Sequence, residues 1–438
     1  MGLYLRDKLT NCLWIFFIVA GQSALASPLG RAYQNFLQND PEVKVSNLNS
    51  QIWQKRLDKA NSRLWPSASL SGSTSNTVRE QNGLESRFKG ETYAVSISQV
   101  VYDKTLTLEP ARLSALELGA ISEFKEAVQV RSLIFIQAYL SWIEAKVQLS
   151  LFQRRLAAIE KRRDQVMRLF ENSRSDISQV MTVENERDRV VADIARTRSR
   201  VSGALSNLRT FVDSKFIFEL ASTTLPIDRW PLANETLQLI DPGASQDHRV
   251  AAAEASRDAI RVEVEQAKAQ WLPKVDAALQ YKETNVGATD TEVFPTTSTV
   301  AQITFAWNFY DSGLRESTLA EAKIKLRESE LKLDFVQRRL DSERESARSD
   351  IDGLKESWLA AKAEYESSKK FLEVADRGFE LGVGTIGTSL MALERLIDSE
   401  SRLTSRWLEV ILGTYKLAHL NNQLDLELLE NLSQISGI

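Results

Sequence analysis

The stretch that decides the fold is Thr297-Ser-Thr-Val-Ala-Gln-Ile-Thr-Phe-Ala-Trp-Asn-Phe-Tyr310, in which the side chains alternate along the chain. The odd positions carry bulky apolar residues, and the even positions are smaller and more polar. A period of two predicts a β-strand with one apolar face. The strand is long and its apolar face ends in aromatic residues, which is typical of a strand that faces lipid. A half-buried strand of a soluble protein alternates in the same way, so this stretch alone leaves both interpretations open.

A very long helix follows this strand. After the turn Asp311-Ser-Gly313, a polar helical pattern runs from Leu314 to about Phe379. At about 1.5 Å per residue such a helix is ~100 Å long, which is more than a globular core can cover. Its apolar stripe is narrow and heptad-like, so the helix must pack against other long helices.

The rest of the chain repeats this pair of strand and helix, which indicates an internal duplication. The interval between matching residues stays close to about 208 residues, whereas chance matches would scatter. The matches are Pro66 with Pro273, Tyr102-Asp103 with Tyr310-Asp311, Phe170 with Phe379, and Met181-x-x-Glu184 with Met391-x-x-Glu394.

These patterns predict five segments. They are a signal peptide (1–26), a first repeat (27–210), a connector (211–243), a second repeat (244–420) and a C-terminal tail (421–438). In the first repeat, helices are followed by a hairpin (64–102) with a polar loop (79–90), a long helix (103–170) and a further helix (177–209). The second repeat has a helix (245–271), a hairpin (274–310) with a polar loop (283–296), a long helix (313–380) and a last helix (388–418).

The N-terminus has the pattern of a cleaved secretory signal. Arg6 and Lys8 precede a short apolar core, and Ala24-Leu25-Ala26 fits the small-x-small cleavage pattern. The alternative is a membrane anchor, but the apolar run is too short to span a bilayer. The only cysteine, Cys12, lies inside this segment and before its apolar core. The mature chain would therefore carry no disulfide and no lipid-attachment cysteine.

The composition argues against several functions. The net charge is −4, with 26% charged residues of both signs, which argues against a nucleic-acid partner. His248 and His419 are the only histidines, so the mature chain offers no His/Cys metal site and few candidates for Ser-His-Asp catalysis. The run Gly378–Gly387 follows a helix and lacks the Gly-Lys-Ser/Thr ending of a phosphate loop. We therefore predict no enzyme activity, no cofactor and no metal.

Aromatic residues gather at the strand positions, which predicts an interfacial girdle. The alternative is the aromatic core of a soluble sheet, but no other segment offers a layer that would cover such a sheet. The predicted girdle residues are Trp65, Tyr93, Tyr281, Phe305, Trp307 and Phe309. Four strands in each chain are too few to close a barrel, whereas three chains would supply about twelve.

In this order of elements the chain resembles the TolC family of outer-membrane channel-tunnel proteins, over essentially the whole mature chain. The motifs that carry the resemblance are Tyr102-Asp103 and Tyr310-Asp311-x-Gly313 at the strand exits and Phe379-x-x-Gly382 after the long helix. The resemblance implies an α+β, mainly α fold that assembles as a homotrimeric channel-tunnel. A 12-stranded outer-membrane β-barrel, with four strands from each chain, would be continued by a long periplasmic α-helical barrel.

The resemblance also implies a location, partners and a function. The chain would lie in the outer membrane of a Gram-negative bacterium, in contact with lipid, and would extend into the periplasm. A periplasmic adaptor, or membrane fusion protein, would connect it to an inner-membrane ABC or RND transporter. The channel would be the exit duct for proteins, as in type I secretion, or for small toxic compounds. The alternative is a periplasmic coiled-coil scaffold or trimeric adhesin stalk without a pore, and the alternating strands argue against it.

The turns Asn172–Asp176 and Leu381–Gly387 are predicted to form the periplasmic gate and to dock the adaptor. The predicted gate and docking residues are Phe170, Ser173, Arg174, Asp176, Phe379, Gly382, Gly384, Gly387, Thr388 and Met391. The predicted strand-exit turns contain Tyr102, Asp103, Tyr310, Asp311 and Gly313. Two departures from the family pattern stand out. Ser173 occupies the place of Gly382 in the first repeat, and Thr388 and Met391 stand where the family's prototype has acidic residues.

Overall fold

The structure is a computed structural model, and it describes residues 27–173, 175–213, 215, 216, 225, 227, 247–288 and 292–430. The predicted signal peptide, most of the connector, Arg174 and the end of the tail lie outside the described residues. The elements are α1 (Pro28–Asn39), α2 (Pro41–Ser62), β1 (Ser67–Gln81), β2 (Leu84–Tyr102), α3 (Lys104–Glu171), α4 (Ile177–Leu208), α5 (His248–Ala269), β3 (Lys274–Ala288), β4 (Glu292–Ala306), α6 (Leu314–Glu380) and α7 (Ile386–Leu420). The predicted α+β, mainly helical fold class is confirmed.

Side-chain caps set where several helices begin. Asp40 precedes α2, and its Oδ1 accepts hydrogen bonds from the backbone N–H groups of Glu42 and Val43, each at 2.9 Å. Asp103 does the same for α3, Asp176 for α4 and Thr385 for α7. A cap of this kind satisfies N–H groups that have no partner inside the helix. The cap at Asp103 therefore fixes the start of the long helix α3, which has 68 residues. The second long helix, α6, has 67 residues and ends before the turn that leads to the cap of α7.

The four strands form one antiparallel sheet in the order β1-β2-β3-β4. Each hairpin supplies two neighbouring strands, and β2 pairs with β3 to join the hairpins, with Val95 opposite Tyr281 and Ile97 opposite Leu279. Strands β1 and β4 are the two edges of this sheet. Residues that face each other across a ladder point to the same side of the sheet, so the register fixes which side chains share a face.

One face of the sheet is apolar and uncovered. Its side chains follow one another across all four strands in the observed register. They are Leu70, Tyr93, Val95, Ile97, Leu279, Tyr281, Ile303 and Phe305, and each is between 42% and 79% exposed. A contiguous exposed apolar face is rare in soluble monomers and marks a surface that another apolar phase covers.

The opposite face of the sheet is mostly polar and uncharged. Ser67 faces Ser98 and Ser69 faces Ser96, and both hydroxyl pairs are hydrogen-bonded at 2.8 Å. Gln302 and Thr304 continue this face on β4, where the Gln302 amide donates to the Thr304 hydroxyl at 3.0 Å. The sheet therefore separates a hydroxyl-rich side from an apolar side.

The predicted polar loops were wrong. Strand β1 continues to Gln81 and β2 begins at Leu84, so the loop 79–90 shrinks to the turn Asn82-Gly83. Both turn residues have positive φ, 56° and 73°, which is the geometry that Asn-Gly favours in a two-residue hairpin. In the second hairpin, residues 283–288 and 292–296 belong to β3 and β4, and residues 289–291 lie outside the described residues. Charged residues in these segments suggested loops in the sequence, but the strands continue through them, beyond the apolar residues of the sheet.

The strand that decides the fold is also displaced from its predicted range. It begins at Glu292 and ends at Ala306, so Trp307 to Tyr310 follow the strand rather than belong to it. The reason lies in the neighbouring strand. Ala306 pairs with Lys274, and the residue before Lys274 is Pro273, which has no N–H to extend the ladder.

The chain consists of two compact units. The sheet unit contains Ser46–Phe124 and His248–Arg338, and the turn unit contains Met1–Val45, Lys125–Asp247 and Arg339–Ile438. Within the sheet unit, a small core joins α5 and α6. Within the turn unit, a larger core joins α3, α4 and α7 through Leu151, Ile159, Val166, Val180, Val183, Val190, Ile194, Ile386, Leu390, Leu393 and Ile397.

None of the helices in the described part of the chain is long and apolar enough to cross a membrane.

We predict that Gly83→Ala lowers the stability of the first hairpin by about 1–2 kcal/mol. This is the steric cost for an L-residue with a side chain of adopting the left-handed backbone conformation. No atom lies within 4 Å of the position of the new Cβ, so the effect would come from the backbone alone. Gly203→Ala is the matched control, since Gly203 lies inside α4 with equally open space. There alanine should stabilise by about 0.5–1 kcal/mol. Thermal unfolding in detergent gives both values, and equal shifts in one direction would contradict the assignment of the turn.

Candidate functional site

The first candidate site is turn 1, residues 172–176, between α3 and α4. Ser173 adopts a left-handed conformation, with φ 56°, and its N–H donates to the carbonyl of Phe170 at 2.9 Å. Asp176 then caps α4 by accepting from the N–H of Ser178 at 3.4 Å. Arg174, a predicted gate residue, lies outside the described residues.

Turn 2, residues 381–385, has the same geometry between α6 and α7. Gly382 has φ 77°, and its N–H donates to the carbonyl of Phe379 at 3.1 Å. The N–H groups of Val383 and Gly384 both donate to the carbonyl of Gly378, at 3.0 and 2.9 Å. Because a Cβ on Gly384 would lie 3.0 Å from the Gly378 backbone, this turn needs glycine at that position.

The structure corrects the predicted extent of turn 2, which was Leu381–Gly387. Gly387 lies inside α7, because Thr385 caps that helix and its Oγ1 accepts from the N–H of Thr388 at 3.2 Å. Turn 2 therefore ends before Gly387, and this glycine is not part of the turn. Ser173 takes the conformation of its counterpart Gly382 even though it has a side chain. The departure in sequence is thus accommodated without a change in the shape of the turn.

Exposed apolar side chains lie in turn 2 and on the helices beside both turns. In turn 2, Leu381 and Val383 are 73% and 86% exposed. Met391 on α7 and its counterpart Met181 on α4 are also exposed, and Phe170 is partly so. Turn 2 and the first turn of α7 lack a carboxylate, since Thr388 hydrogen-bonds Thr385 and Met391 is apolar. The apolar side chains of turn 2 thus lie near exposed carboxylates of the adjoining segments, which are Glu171, Asp176 and Glu380.

A partly buried polar cluster behind the turns, in which Asp376 keeps 40% of its side chain exposed, was not found from the sequence. Arg162 of α3 is 9% exposed, and its guanidinium donates to both carboxylate oxygens of Asp376 on α6, at 2.7 and 2.8 Å. Its Nε donates to the Ser389 hydroxyl on α7 at 2.8 Å. One signal was available, because Arg162 interrupts the apolar stripe of α3 between Ile159 and Val166.

The strand exits form two compact polar turns in the sheet unit. Asp103 accepts from the N–H groups of Thr105 and Leu106 and pairs with the Lys274 ammonium at 2.9 Å. Burial alone would raise the pKa of Asp103, but the hydrogen bonds from Thr105 and Lys274 outweigh it and hold the pKa below its usual value. Asp103 is therefore a charged anchor between the start of α3 and the start of β3.

The second strand exit repeats this arrangement with other partners. Asp311 accepts from the Arg315 guanidinium at 2.6 Å, and Gly313 has φ 84°. The residues that precede each aspartate, Tyr102 and Tyr310, are both exposed. The shared aspartate supports the duplication, whereas glycine occurs only in the second turn.

The predicted girdle residues are all exposed in the single chain, between 46% and 81%. Trp65, Phe305, Trp307 and Phe309 lie where helices meet the sheet, and Tyr93 and Tyr281 lie farther along the strands. The Trp307 indole donates to the carbonyl of Trp271 at 3.1 Å, which orients this ring. The girdle itself stays a prediction. Among the described residues, no cluster of His, Cys, Asp and Glu could hold a metal ion.

We predict that Ser173→Gly stabilises the turn unit by roughly 0.5–1 kcal/mol, because glycine adopts positive φ without the penalty of a side chain. The counterpart change Gly382→Ser should destabilise by a similar amount, since no atom lies within 4 Å of its Cβ position and only the backbone is affected. Denaturant titration of the two variants gives both values. The interpretation of matched turns would be wrong if both variants moved stability in the same direction.

Comparisons with known proteins agree with this architecture. The family model described as outer membrane efflux protein matches residues 239–405. The chain is 23% identical over 423 residues to the outer membrane protein TolC of Salmonella enteritidis, covering 91% of this chain and 83% of that protein. It is 22% identical over 417 residues to TolC of Escherichia coli K12, covering 88% and 81%.

Solved structures share the fold at low sequence identity. The outer membrane protein VceC of Vibrio cholerae superposes with a TM-score of 0.74 at 14% identity, covering 91% of this chain and 97% of that one. The outer-membrane channel OprN gives 0.73 at 15% identity, covering 91% of each chain. The family match over residues 239–405, the relatives that align over most of the chain and the common fold together show that the chain is similar to TolC-like outer membrane efflux proteins.

Proposed function

We propose that the chain is one subunit of a passive exit duct, a homotrimer without enzyme activity. In line with its similarity to TolC proteins, the chain is an outer-membrane protein of a Gram-negative bacterium that extends into the periplasm. The duct would receive cargo from an inner-membrane ABC or RND transporter through a periplasmic adaptor. The transporter would supply the energy, and the duct would supply a path and a gate.

The observation that carries this proposal is the two-faced sheet. Lipid would cover the apolar face with Leu279 and Ile303, and water inside the duct would solvate the face with Ser67 and Ser69. A soluble scaffold or adhesin stalk would leave the apolar face in water at a cost that grows with its area. The sheet therefore favours a membrane duct over the scaffold.

The sheet edges explain why several copies are needed. Strands β1 and β4 each have 15 residues and are the two edges of the sheet. In a bilayer each unpaired backbone group costs several kcal/mol, so open edges cannot persist there. Equal lengths allow β4 of one copy to pair with β1 of the next. Three copies would give about twelve strands, enough for an open pore.

The helices of the sheet unit support pairing with the same neighbouring copy as the edge strands. Helix α3 contacts α5 through Arg112 and Glu263, at 3.4 Å, and α5 packs on α6 through Val264 and Ala322. We infer that α2 and α6 are the outer helices of the unit, because α2 leads into the edge strand β1 and α6 follows the edge strand β4.

Each of these outer helices carries an exposed apolar stripe. The stripe on α2 is Leu48 and Ile52, and that on α6 is Ile324, Leu331 and Phe335, all at least 50% exposed. We propose that α6 of one copy packs on α2 of the next, because β4 precedes α6 and β1 follows α2 in the chain. Helices and strands would then pair with the same neighbouring copy.

The two turns would form the periplasmic mouth of this duct and dock the adaptor. Their exposed apolar residues Leu381, Val383 and Met391 support a docking surface, since such a patch calls for an apolar partner. The cargo, either secreted proteins or small toxic compounds, is left open because neither turn nor the hydroxyl-rich sheet face selects between them.

We predict that Ile52→Cys together with Ile324→Cys, in a Cys12→Ser background, links neighbouring copies through a short bifunctional thiol reagent. Each residue lies about ten residues from the sheet-proximal end of its helix, which at ~1.5 Å per residue sets them at similar depth. Linked dimers and trimers should appear on denaturing gels of isolated membranes. Gln54→Cys with Ile324→Cys is the control, because Gln54 lies on the other side of α2. Monomers only, or equal linking by the control, would contradict the arrangement.

A further inference from the structure

The two faces of the sheet carry charges of opposite sign. On the apolar face, charged side chains begin beyond Tyr93 and Tyr281, toward the hairpin turns, and most of them are acidic. They are Glu80, Glu85, Arg87, Lys89, Glu91 and Glu283. On the hydroxyl-rich face, the charged side chains among the described residues are mostly basic. They are Arg79, Lys274, Lys282 and Asp276, of which Lys274 is paired with Asp103.

Lys282 stands in the middle of the hydroxyl-rich face without a charged neighbour. The residues directly across from it are Ala94 on β2 and Ser298 on β4. Lys282 is exposed, and no carboxylate of the described residues lies within 4.0 Å of its ammonium. Asp276 is six residues away on the same strand, which is ~20 Å and beyond the Debye length of ~8 Å at physiological salt. The charge of Lys282 is therefore not offset on this face.

Two further cations lie at the end of the face nearest the helices. Lys59 belongs to the last turn of α2, and Arg63 follows that helix directly. A groove of about 490 Å³ separates them from the sheet, where Ser67, Ser98 and Asp276 of the hydroxyl-rich face line it. Asp276 is the only carboxylate among the described residues that line this groove, so the two cations outnumber it.

A fourth cation lies toward the first hairpin turn. Arg79 precedes the turn Asn82-Gly83 by three residues, and its guanidinium lies 5.8 Å from the centre of the Phe88 ring. Both side chains belong to the hydroxyl-rich face. We name Lys59, Arg63, Lys282 and Arg79 the cation track. Its members occupy three levels, from the helices through the middle of the sheet to the hairpin turn.

Charges of one sign act most strongly when they face an enclosed aqueous passage. Walls of low dielectric constant focus the field into the passage and raise the local concentration of the opposite charge. In ion channels, rings of Lys or Arg side chains favour anions. The strand register is the same in every copy, so a closed trimeric barrel would hold three Lys282 side chains at one level.

We propose that the cation track makes the sheet part of the duct an anion-attracting lining, so that solutes with carboxylate or phosphate groups pass in preference to cationic ones. This inference rests on the proposed function, in which water fills the duct on the hydroxyl-rich side. It adds a preference for charge to a cargo whose size is left open. Lys282 is the central specificity-determining residue, because no neighbour on the face offsets its charge.

The test measures the electrostatic potential beside Lys282 with a thiol on the neighbouring strand. Ser298→Cys, in the Cys12→Ser background, places this thiol directly across from Lys282, with the two Cβ atoms about 5 Å apart. Isolated outer membranes are treated with methanethiosulfonates that carry either a sulfonate or a trimethylammonium group. The ratio of the anionic to the cationic rate, divided by the same ratio for a small thiol in solution, should be about 3.

Charge substitutions at position 282 should move this ratio in a defined order. Lys282→Gln should bring it to about one, Lys282→Glu should bring it below one, and Lys282→Arg should preserve it. Lys89→Gln is the matched control, because Lys89 is an exposed lysine on the other face of the sheet. It should leave the ratio at position 298 unchanged. All variants are compared at equal amounts of folded oligomer.

A second measurement reports on passage through the whole duct. In planar bilayers under a KCl gradient, Lys282→Glu should lower the permeability of chloride relative to potassium by about twofold, whereas Lys89→Gln should not. If Lys282→Glu leaves either the reagent ratio or the permeability ratio unchanged, the cation track does not set a charge preference and the inference is wrong.

The same thiol separates this inference from the proposed function. If the thiol at position 298 reacts with neither reagent, the hydroxyl-rich face does not line a water-filled passage, and the proposed duct is contradicted. If it reacts with both reagents at a ratio that Lys282→Gln does not change, the duct stands and only the anion-attracting lining is overturned.

Discussion

The structure depends on one constraint, that backbone N–H and C=O groups at a sheet edge need partners when no water can reach them. A four-stranded sheet with one apolar face cannot meet this need alone. Strands β1 and β4 have equal length and lie at opposite edges, so copies of the chain can satisfy each other. The exposed stripes on α2 and α6 fall beside these same edges in the chain. The proposed assembly would thus follow from unpaired backbone groups as much as from apolar surface.

The internal duplication explains why the same order of strand exit, long helix and turn occurs twice. Each repeat leads from a capped strand exit, Asp103 or Asp311, into a long helix and then into a turn at Ser173 or Gly382. The turns keep one backbone shape although their residues differ. Where the repeats differ most is inside the turn unit, because Arg162 has no counterpart in the second repeat, where Phe371 stands about 209 residues later. The ion pair of Arg162 with Asp376 therefore joins the first repeat to the second.

Much of the fold could be predicted from the sequence, because the spacing of apolar residues shows directly which side chains share a face of a strand or helix. The alternation at Ile303 and Phe305 and the constant repeat interval were enough for the fold class and the family resemblance. The Asn82-Gly83 signal was present but was outweighed by the charges around it. The end of β4 was missed because it depends on Pro273 in the neighbouring strand, which only the register reveals.

The cluster of Arg162, Asp376 and Ser389 was not found from the sequence for a different reason. Arg162 and Asp376 are 214 residues apart, and a charged residue in a helix is usually read as part of a solvated face. Only the packing of α3 against α6 and α7 shows that this charge is buried and paired. Positive φ at Ser173 is equally hidden, since serine rarely adopts it and the sequence offers no glycine there.

The most direct measurement of the central claim is hydrogen exchange of the backbone amides in β1 and β4 of the detergent-extracted protein. In a sheet closed by neighbouring copies, the outward-pointing amides of these edge strands are hydrogen-bonded. They should then exchange as slowly as those of the central strands β2 and β3. If the outward-pointing amides of β1 and β4 exchange rapidly while β2 and β3 stay protected, the edges are open and the account of the assembly is wrong.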